Sequence, residues 1–311
     1  MVRKGHVNPM KGAVATRRHG HTRSVAVGRR GAILVSVLWV MVFLAFVAVV
    51  LRLHVTGIAQ SIRVTEGKAA ARIVAEAALA HGAALVLLPQ EPGQTPSPRV
   101  TGSVETASGR AAFRMVNESV RIDLNSGDRA LIMGALIASG APRNQADAFA
   151  EAILAGREEE EEDPQDPEDA APSLTFHNAS EIVLLAGMTP EIAIGMERLT
   201  TVSSGLAGIR LDEADRALLE SIPGFPPSAL AALDDYDQGR IDRIQLMAEL
   251  GQLAYHVAEN TPSWRAVMDV ELPTGYGERY EALIAVLPDD TRPYRVLGWR
   301  RVDEATGRTL E

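Results

Sequence analysis

From Ala32 to Leu51 the chain reads AILVSVLWVMVFLAFVAVVL, twenty residues without a charge and with one hydroxyl, Ser36. At ~1.5 Å of rise per residue such a run spans ~30 Å, the thickness of the hydrocarbon core of a bilayer. A helix that is apolar all round offers no face to water, so the run predicts a transmembrane helix rather than an amphipathic one. Before it lie Arg3, Lys4, Lys11, Arg17, Arg18, Arg23, Arg29 and Arg30 and no acidic residue. Of 31 basic residues these eight are spent at once, which leaves 23 against 40 acidic ones, a balance of −17 within a total of −9. The positive-inside rule then puts the N-terminus in the cytoplasm. The expected location is the inner membrane, crossed once, with the body in the periplasm. An acidic body does not suit electrostatic binding to nucleic acid. The absence of cysteine excludes disulfides, thiol catalysis and cysteine-ligated metals.

No small-residue A-x-A pattern follows the apolar run, which continues as Leu51-Arg52-Leu53-His54, so the segment is expected to be retained rather than removed as a secretory signal. In front of it, Arg29-Arg30-Gly31 abuts the apolar residues with no polar spacer. That arrangement resembles a type IV prepilin leader, which a membrane prepilin peptidase cuts after the glycine. It implies a basic leader over 1–31, cleavage between Gly31 and Ala32, and Ser36 as the fifth residue of the mature chain. A start at Met10 would shorten the leader.

Past the membrane, Ile58, Ile62, Ala69, Ile73, Ala77, Ala80, Ala84 and Leu87 form one helical stripe, with Arg63, Glu66, Lys68, Arg72 and Glu76 supplying charge. Pro89 is the first residue that must end the helix, which predicts one transmembrane and stalk helix over 32–88, ~85 Å long. After the Pro-rich connection 89–99, Ala111, Phe113 and Met115 alternate, as do Val120, Ile122 and Leu124, and this predicts a β-hairpin turning at Asn117-Glu118-Ser119. Residues 89–124 would form the first part of an α/β domain. Residues 125–262 read as a set of short helices, and from Glu158 to Asp169 nine of twelve residues are acidic, as expected of a solvated loop. Two echoes run through this region. Leu185-Ala-Gly-Met-Thr-Pro matches Ile222-Pro-Gly-Phe-Pro-Pro, and Leu124-Asn-Ser-Gly-Asp-Arg-Ala-Leu matches Leu211-Asp-Glu-Ala-Asp-Arg-Ala-Leu, with Asn125 and Asp212 placed as helix N-caps. Met268, Val270 and Leu272 alternate, then Tyr280, Ala282, Ile284 and Val286, and Tyr294 to Arg301 follow. These predict three strands over 263–311 that complete the sheet.

The expected class is therefore α+β: a long N-terminal transmembrane helix, and a pilin-like antiparallel sheet interrupted by a large all-helical insertion. In this order, Gly31 before AILVSVLWVMV, ESVRIDLNSGDRALI, ASEIVLLAGMTPEI, LDEADRALLESIPGF and YRVLGWRR resemble the type II secretion system protein K family, the large minor pseudopilins. Two departures occur in the insertion. The family's Asn-rich cap segment reads Arg210-Leu211-Asp212-Glu213-Ala214 here, and its Trp- and Asp-containing stretch is replaced by the acidic run. The resemblance implies a subunit at the tip of a periplasmic pseudopilus that initiates assembly and supports protein export across the outer membrane. It further implies I- and J-type minor pseudopilins, the prepilin peptidase and the secretion inner-membrane platform as partners, and N-methylation of Ala32. No cofactor is required. Family members can hold calcium in the globular domain, but no ligand set here is assigned to it.

Catalytic signals are few. His81, His177 and His256 have no metal-ligand spacing, and there is no nucleophile elbow, phosphate loop or dinucleotide fingerprint. Asp235-Tyr-Asp237-Gln-Gly239 fails as an EF-hand because Leu246 stands at the twelfth position. The chain reads as a non-enzyme. Two alternatives share parts of the pattern: a minor pilin of a type IV pilus, and a membrane-tethered helix-hairpin-helix DNA receptor suggested by the paired L-x-G-x-x-P turns. Against the receptor, Pro226 and Pro227 lack N–H donors in the turn that would meet phosphate, and Asp234, Asp235 and Asp237 lie close by.

Overall fold

A computed structural model describes residues 29–88, 96–158, 175–288 and 290–302, with side chains omitted at 29–33 and 53–63. Residues 1–28, most of the Pro-rich connection and nearly all of the acidic run lie outside the described residues. The chain divides into two units, 1–63 and 64–311. Helix α1, Arg29–Val86, belongs to both. In the first unit Leu34–Arg52 is long and apolar enough to cross a membrane, and its side chains are exposed throughout. Val64–Val86 meets the same criteria of length and composition, but it is a core helix of the second unit.

That unit is built on a five-stranded antiparallel sheet with strands β1 (Arg99–Thr106), β2 (Gly109–Asn117), β5 (Ser263–Glu271), β6 (Gly277–Val286) and β7 (Tyr294–Val302) in that order across it. Alternation sends Ala111, Phe113 and Met115 of β2, Ala266, Met268 and Val270 of β5, and Tyr280, Ala282 and Ile284 of β6 to one face. They share a core with Ala71, Val74, Ala75, Ala78, Leu79 and Ala83 of α1. Gly82 marks the close approach, since a Cβ there would lie 2.4 Å from Met115 Sδ and 3.0 Å from the Phe113 ring.

The polypeptide leaves the sheet at Asn117 and returns at Ser263. Between them lie α2 (Arg129–Ala138), α3 (Arg143–Glu158), α4 (Pro190–Leu199), α5 (Arg216–Ser221), α6 (Pro227–Asp237) and α7 (Arg243–Leu250), around a second core centred on Ile132, Leu136, Ile153, Ile182, Met196, Leu219 and Leu246. A two-residue parallel pair, β3 (Ile122–Asp123) with β4 (Thr200–Thr201), ties the start of this set to its middle. Because β2 and β5 are neighbours, with Asn117 opposite Trp264, the helical set hangs from one place in the sheet.

The stripe through Ile73 faces away from the sheet: at 100° per residue the buried Ala71, Ala75, Ala78 and Gly82 lie on the opposite side of α1, and Ile73 is 62% exposed. Two expectations need correction. The hairpin falls one strand earlier, turning at Ala107-Ser108 between β1 and β2, whereas Glu118–Val120 is a 3-10 turn and Ile122 pairs in the separate small sheet. β1 escaped notice because Val100 and Val104 are its only large apolar residues. The helix caps are Asp128 and Asp215, whose carboxylates accept from the Ala130 and Ala217 N–H groups, and not Asn125 and Asp212. The echo was real but its cap lies three residues later.

Candidate functional site

Gly31 and Ala32 stand in the first described turn of α1, so three residues of the described helix precede the expected cut. Ser36 lies one turn further on and is exposed. These three residues fall in the first unit.

In the second unit the features open to a partner begin with the outward side of α1. Ala69, Ile73, Ala80 and Ala84 are exposed and Ala77 half-buried, so a helix whose inner side already fills a core carries a second stripe of small apolar residues facing away from it. The stripe is bordered by the Arg72–Glu76 ion pair at 2.7 Å. The Arg72 guanidinium also stacks 3.7 Å above the Trp299 ring, which fixes α1 to the edge strand β7. Such a helix face presents area without side-chain bulk, which lets another helix come close.

The opposite face of the sheet is charged. Glu118, fully buried in its 3-10 turn, accepts two hydrogen bonds from Arg265 at 3.0 Å, one on each oxygen. Arg265 passes on to Glu281 at 3.0 Å, Glu281 accepts from Arg300 at 3.1 Å, and Arg300 reaches Glu197 of α4 at 2.6 Å. Burial would raise the Glu118 carboxyl, but Arg121 and Arg265 hold it below its ordinary value. Burial likewise acts against the Arg265 charge, which Glu118 and Glu281 more than restore. The chain of charges fixes the orientation of the helical set on the sheet more than it adds net stability.

A second clasp sits at the start of β1. Arg210 is fully buried, with Nη1 donating to the Pro96 carbonyl at 2.6 Å and to Asn260 Oδ1 at 2.9 Å, and Nη2 to Asp212 at 2.6 Å. Arg243 shares Asp212 at 3.0 Å. His256 faces this cluster, with Nδ1 buried and unpartnered. Burial lowers its pKa, Asp212 opposes that and Arg210 adds to it. At the neck of the helical set Asn117 donates to the Thr261 carbonyl at 2.7 Å and accepts from the Thr261 N–H at 2.9 Å. Sequence reasoning passed over Glu118, Arg265 and Asn117 because charge and amide groups in a turn or strand signal exposure until the partner strand is known.

The two L-x-G-x-x-P segments adopt the same turn. Gly187 and Gly224 take φ of +86° and +75°, and Pro190 and Pro227 open the helices that follow. The Met188 N–H donates to Leu185 and the Phe225 N–H to Ile222, so both are used within the turns. Asp234 and Asp237 pair with Arg216, and Asp235 with Arg240. Among the described residues no three His, Asp or Glu side chains converge as metal ligands.

No protein-family model matches the sequence, and neither does any curated protein. Among solved structures, a chain of the GspK–GspI–GspJ complex from the type 2 secretion system of enterotoxigenic Escherichia coli matches with a TM-score of 0.55 at 14% identity. The match covers 78% of this chain and 99% of that one. The two chains share one fold. Almost the whole of the other chain therefore has a counterpart here, so the likeness is not confined to a helix on a sheet.

Proposed function

We propose that the chain is a non-enzymatic minor pseudopilin of a type II secretion system, held in the inner membrane by the first part of α1 with its body in the periplasm. The observation that carries the reading is the fold match over 99% of a chain from a GspK–GspI–GspJ complex, joined to an apolar helix at the N-terminus. The prepilin peptidase would cut between Gly31 and Ala32, Ala32 would be N-methylated, and the mature chain would join I- and J-type minor pseudopilins at the tip of the pseudopilus and engage the inner-membrane platform. The outward stripe of α1 supplies the surface against which partner helices would pack. A tip subunit has no neighbour above it. Pilin-like subunits usually carry glutamate at the fifth mature position, opposite a neighbour's terminal amine, and the uncharged Ser36 suits a subunit without that neighbour. A carboxylate in the membrane is costly when nothing offsets it.

The test is to express the full chain with the prepilin peptidase and the two smaller subunits, purify it from membranes, and measure intact mass and co-purifying proteins. The expected outcome is a methylated chain starting at Ala32, recovered with both subunits. A chain that keeps residues 1–31 in the presence of the peptidase would end the pseudopilin reading, and recovery with pilus subunits instead would move it to the related pilus. Ser36→Ala should leave recovery of the complex unchanged.

A further inference from the structure

Among the described histidines of the second unit, His81 and His177 are exposed, whereas His256 is half-buried with Nδ1 shut off from water and without a partner. Backbone holds it in place. The Ile209 N–H donates to the Tyr255 carbonyl at 2.9 Å and the Val257 N–H to the Ile209 carbonyl at 3.0 Å, which pairs His256 with Ile209 and sets it beside Arg210. The charges there are uneven, because two guanidiniums, Arg210 and Arg243, share the single carboxylate of Asp212 at 2.6 and 3.0 Å. Glu213 is turned to Arg99 instead, at 2.8 Å. What the cluster grips is the entry to β1. Arg210 donates to the Pro96 carbonyl, Asn260 Nδ2 to the Ser97 carbonyl at 3.2 Å, and Arg99 to the Glu213 carbonyl at 2.9 Å.

A neutral imidazole carries one N–H and an imidazolium carries two. With no acceptor at Nδ1, the neutral ring is best placed with its proton on Nε2, so the proton gained in acid lands on the sealed nitrogen. It would there be a charged donor next to the fully buried Arg210, and the carboxylate acting on the ring, Asp212, is already held by both arginines. We propose that His256 is an acid-operated release: its protonation breaks the Arg210–Asp212 clasp and frees residues 96–99, the entry to β1, from the helical set. Burial lowers the pKa of the ring, Asp212 opposes that and Arg210 adds to it. The closed clasp thus disfavours the proton, and by linkage the proton favours the open one. The clasp is at full strength above pH 6.5 and weakens as the pH falls toward the folded value. Because β1 is the outer strand of the sheet, its first residues can come free without parting β5 from β6. The inference concerns the second unit alone and does not depend on the pseudopilin reading.

The test measures hydrogen exchange of the full chain in detergent at pH 7.5 and pH 5.0, with each rate divided by its intrinsic value at that pH. Glu118 is held below 4.5, so this step leaves its network charged. In wild type, protection over 97–106, 207–213 and 255–260 should fall at least about three-fold at the lower pH, while β5 and β6 keep theirs. His256→Gln should show no such fall, and neither should His256→Leu, which fills the position without a titrating group and guards against a Gln variant that does not fold. A measurement on wild type alone completes the test: the fall should follow the titration of one histidine ring in the NMR spectrum, with a midpoint below pH 6.5. Unchanged protection in wild type, an equal fall in the variants, a fall spread evenly over both cores, or a midpoint matching no histidine ring would each overturn the release.

Discussion

At the residue scale, a few buried polar side chains decide how the two cores of the second unit are held together. Asn117 makes the point: it is fully buried, and its amide serves the Thr261 carbonyl and N–H together with the Ser119 N–H. Asn117→Ala leaves those groups without partners and should cost about 2–3 kcal/mol of unfolding free energy, measurable by denaturant titration. His256 has a different consequence. Its pKa is lower in the folded chain than its unfolded value of 6.5, so the unfolded state binds the proton more readily. Stability is therefore retained above pH 6.5 and falls as the pH drops from there toward the folded value. Glu118 is also held below its unfolded value of 4.5, and its contribution is lost only below that. Melting temperature against pH should show two separate losses, and His256→Gln should remove the upper one alone.

At the element scale, α1 carries two apolar sides, one packed in a core and one exposed. Gly82→Val would drive a branched side chain into Met115 and Phe113 and should destabilise the sheet packing by about 1–3 kcal/mol. Ile73→Glu, on the exposed side, should leave the melting temperature within about 2 °C of wild type while weakening recovery with the smaller subunits. Periodicity found both the late strands and the stripe, because alternation and 3.6-residue spacing are written in the side chains themselves. It could not say which of two small-residue stripes faces the sheet, since Ala and Gly signal burial only weakly and each side carries one large apolar residue of equal size, Ile73 on the one and Leu79 on the other. The strand β1 and the cap positions were missed for a related reason. Thr, Ser and Gly in β1 give no contrast along the strand, and an Asp at N-cap is distinguished from one three residues earlier only by where the backbone begins to coil. The outward stripe of α1 was legible as residues, whereas the Glu118 and Arg210 clusters depend on partners 50 or more residues away in sequence and were not legible.

At the scale of the whole molecule, the chain joins a membrane-length apolar helix to a sheet from which a helical set is suspended. Arg300 and Glu197 link that set to the sheet at one place, and Arg210 links it to the start of β1 at another. Double substitution of Arg210 and Glu197 by Ala should raise hydrogen exchange along β1 and α4 together, while the β5–β6 pairing stays protected. The adjacency of Asn117 and Trp264 also dictates an order of events when the chain first acquires its structure. Bringing β2 and β5 together across a separation of 144 residues, from Asn117 to Thr261, carries a closure entropy of about 4 kcal/mol if the intervening chain is still a coil. The contacts inside the helical set are mostly shorter in range, so that set can condense first and draw its own ends together. The closure cost of the large loop is then already met by local collapse, and the sheet zips shut across a gap that has become short. The neck at Asn117 is, in kinetic terms, where a late step is made fast by an early one.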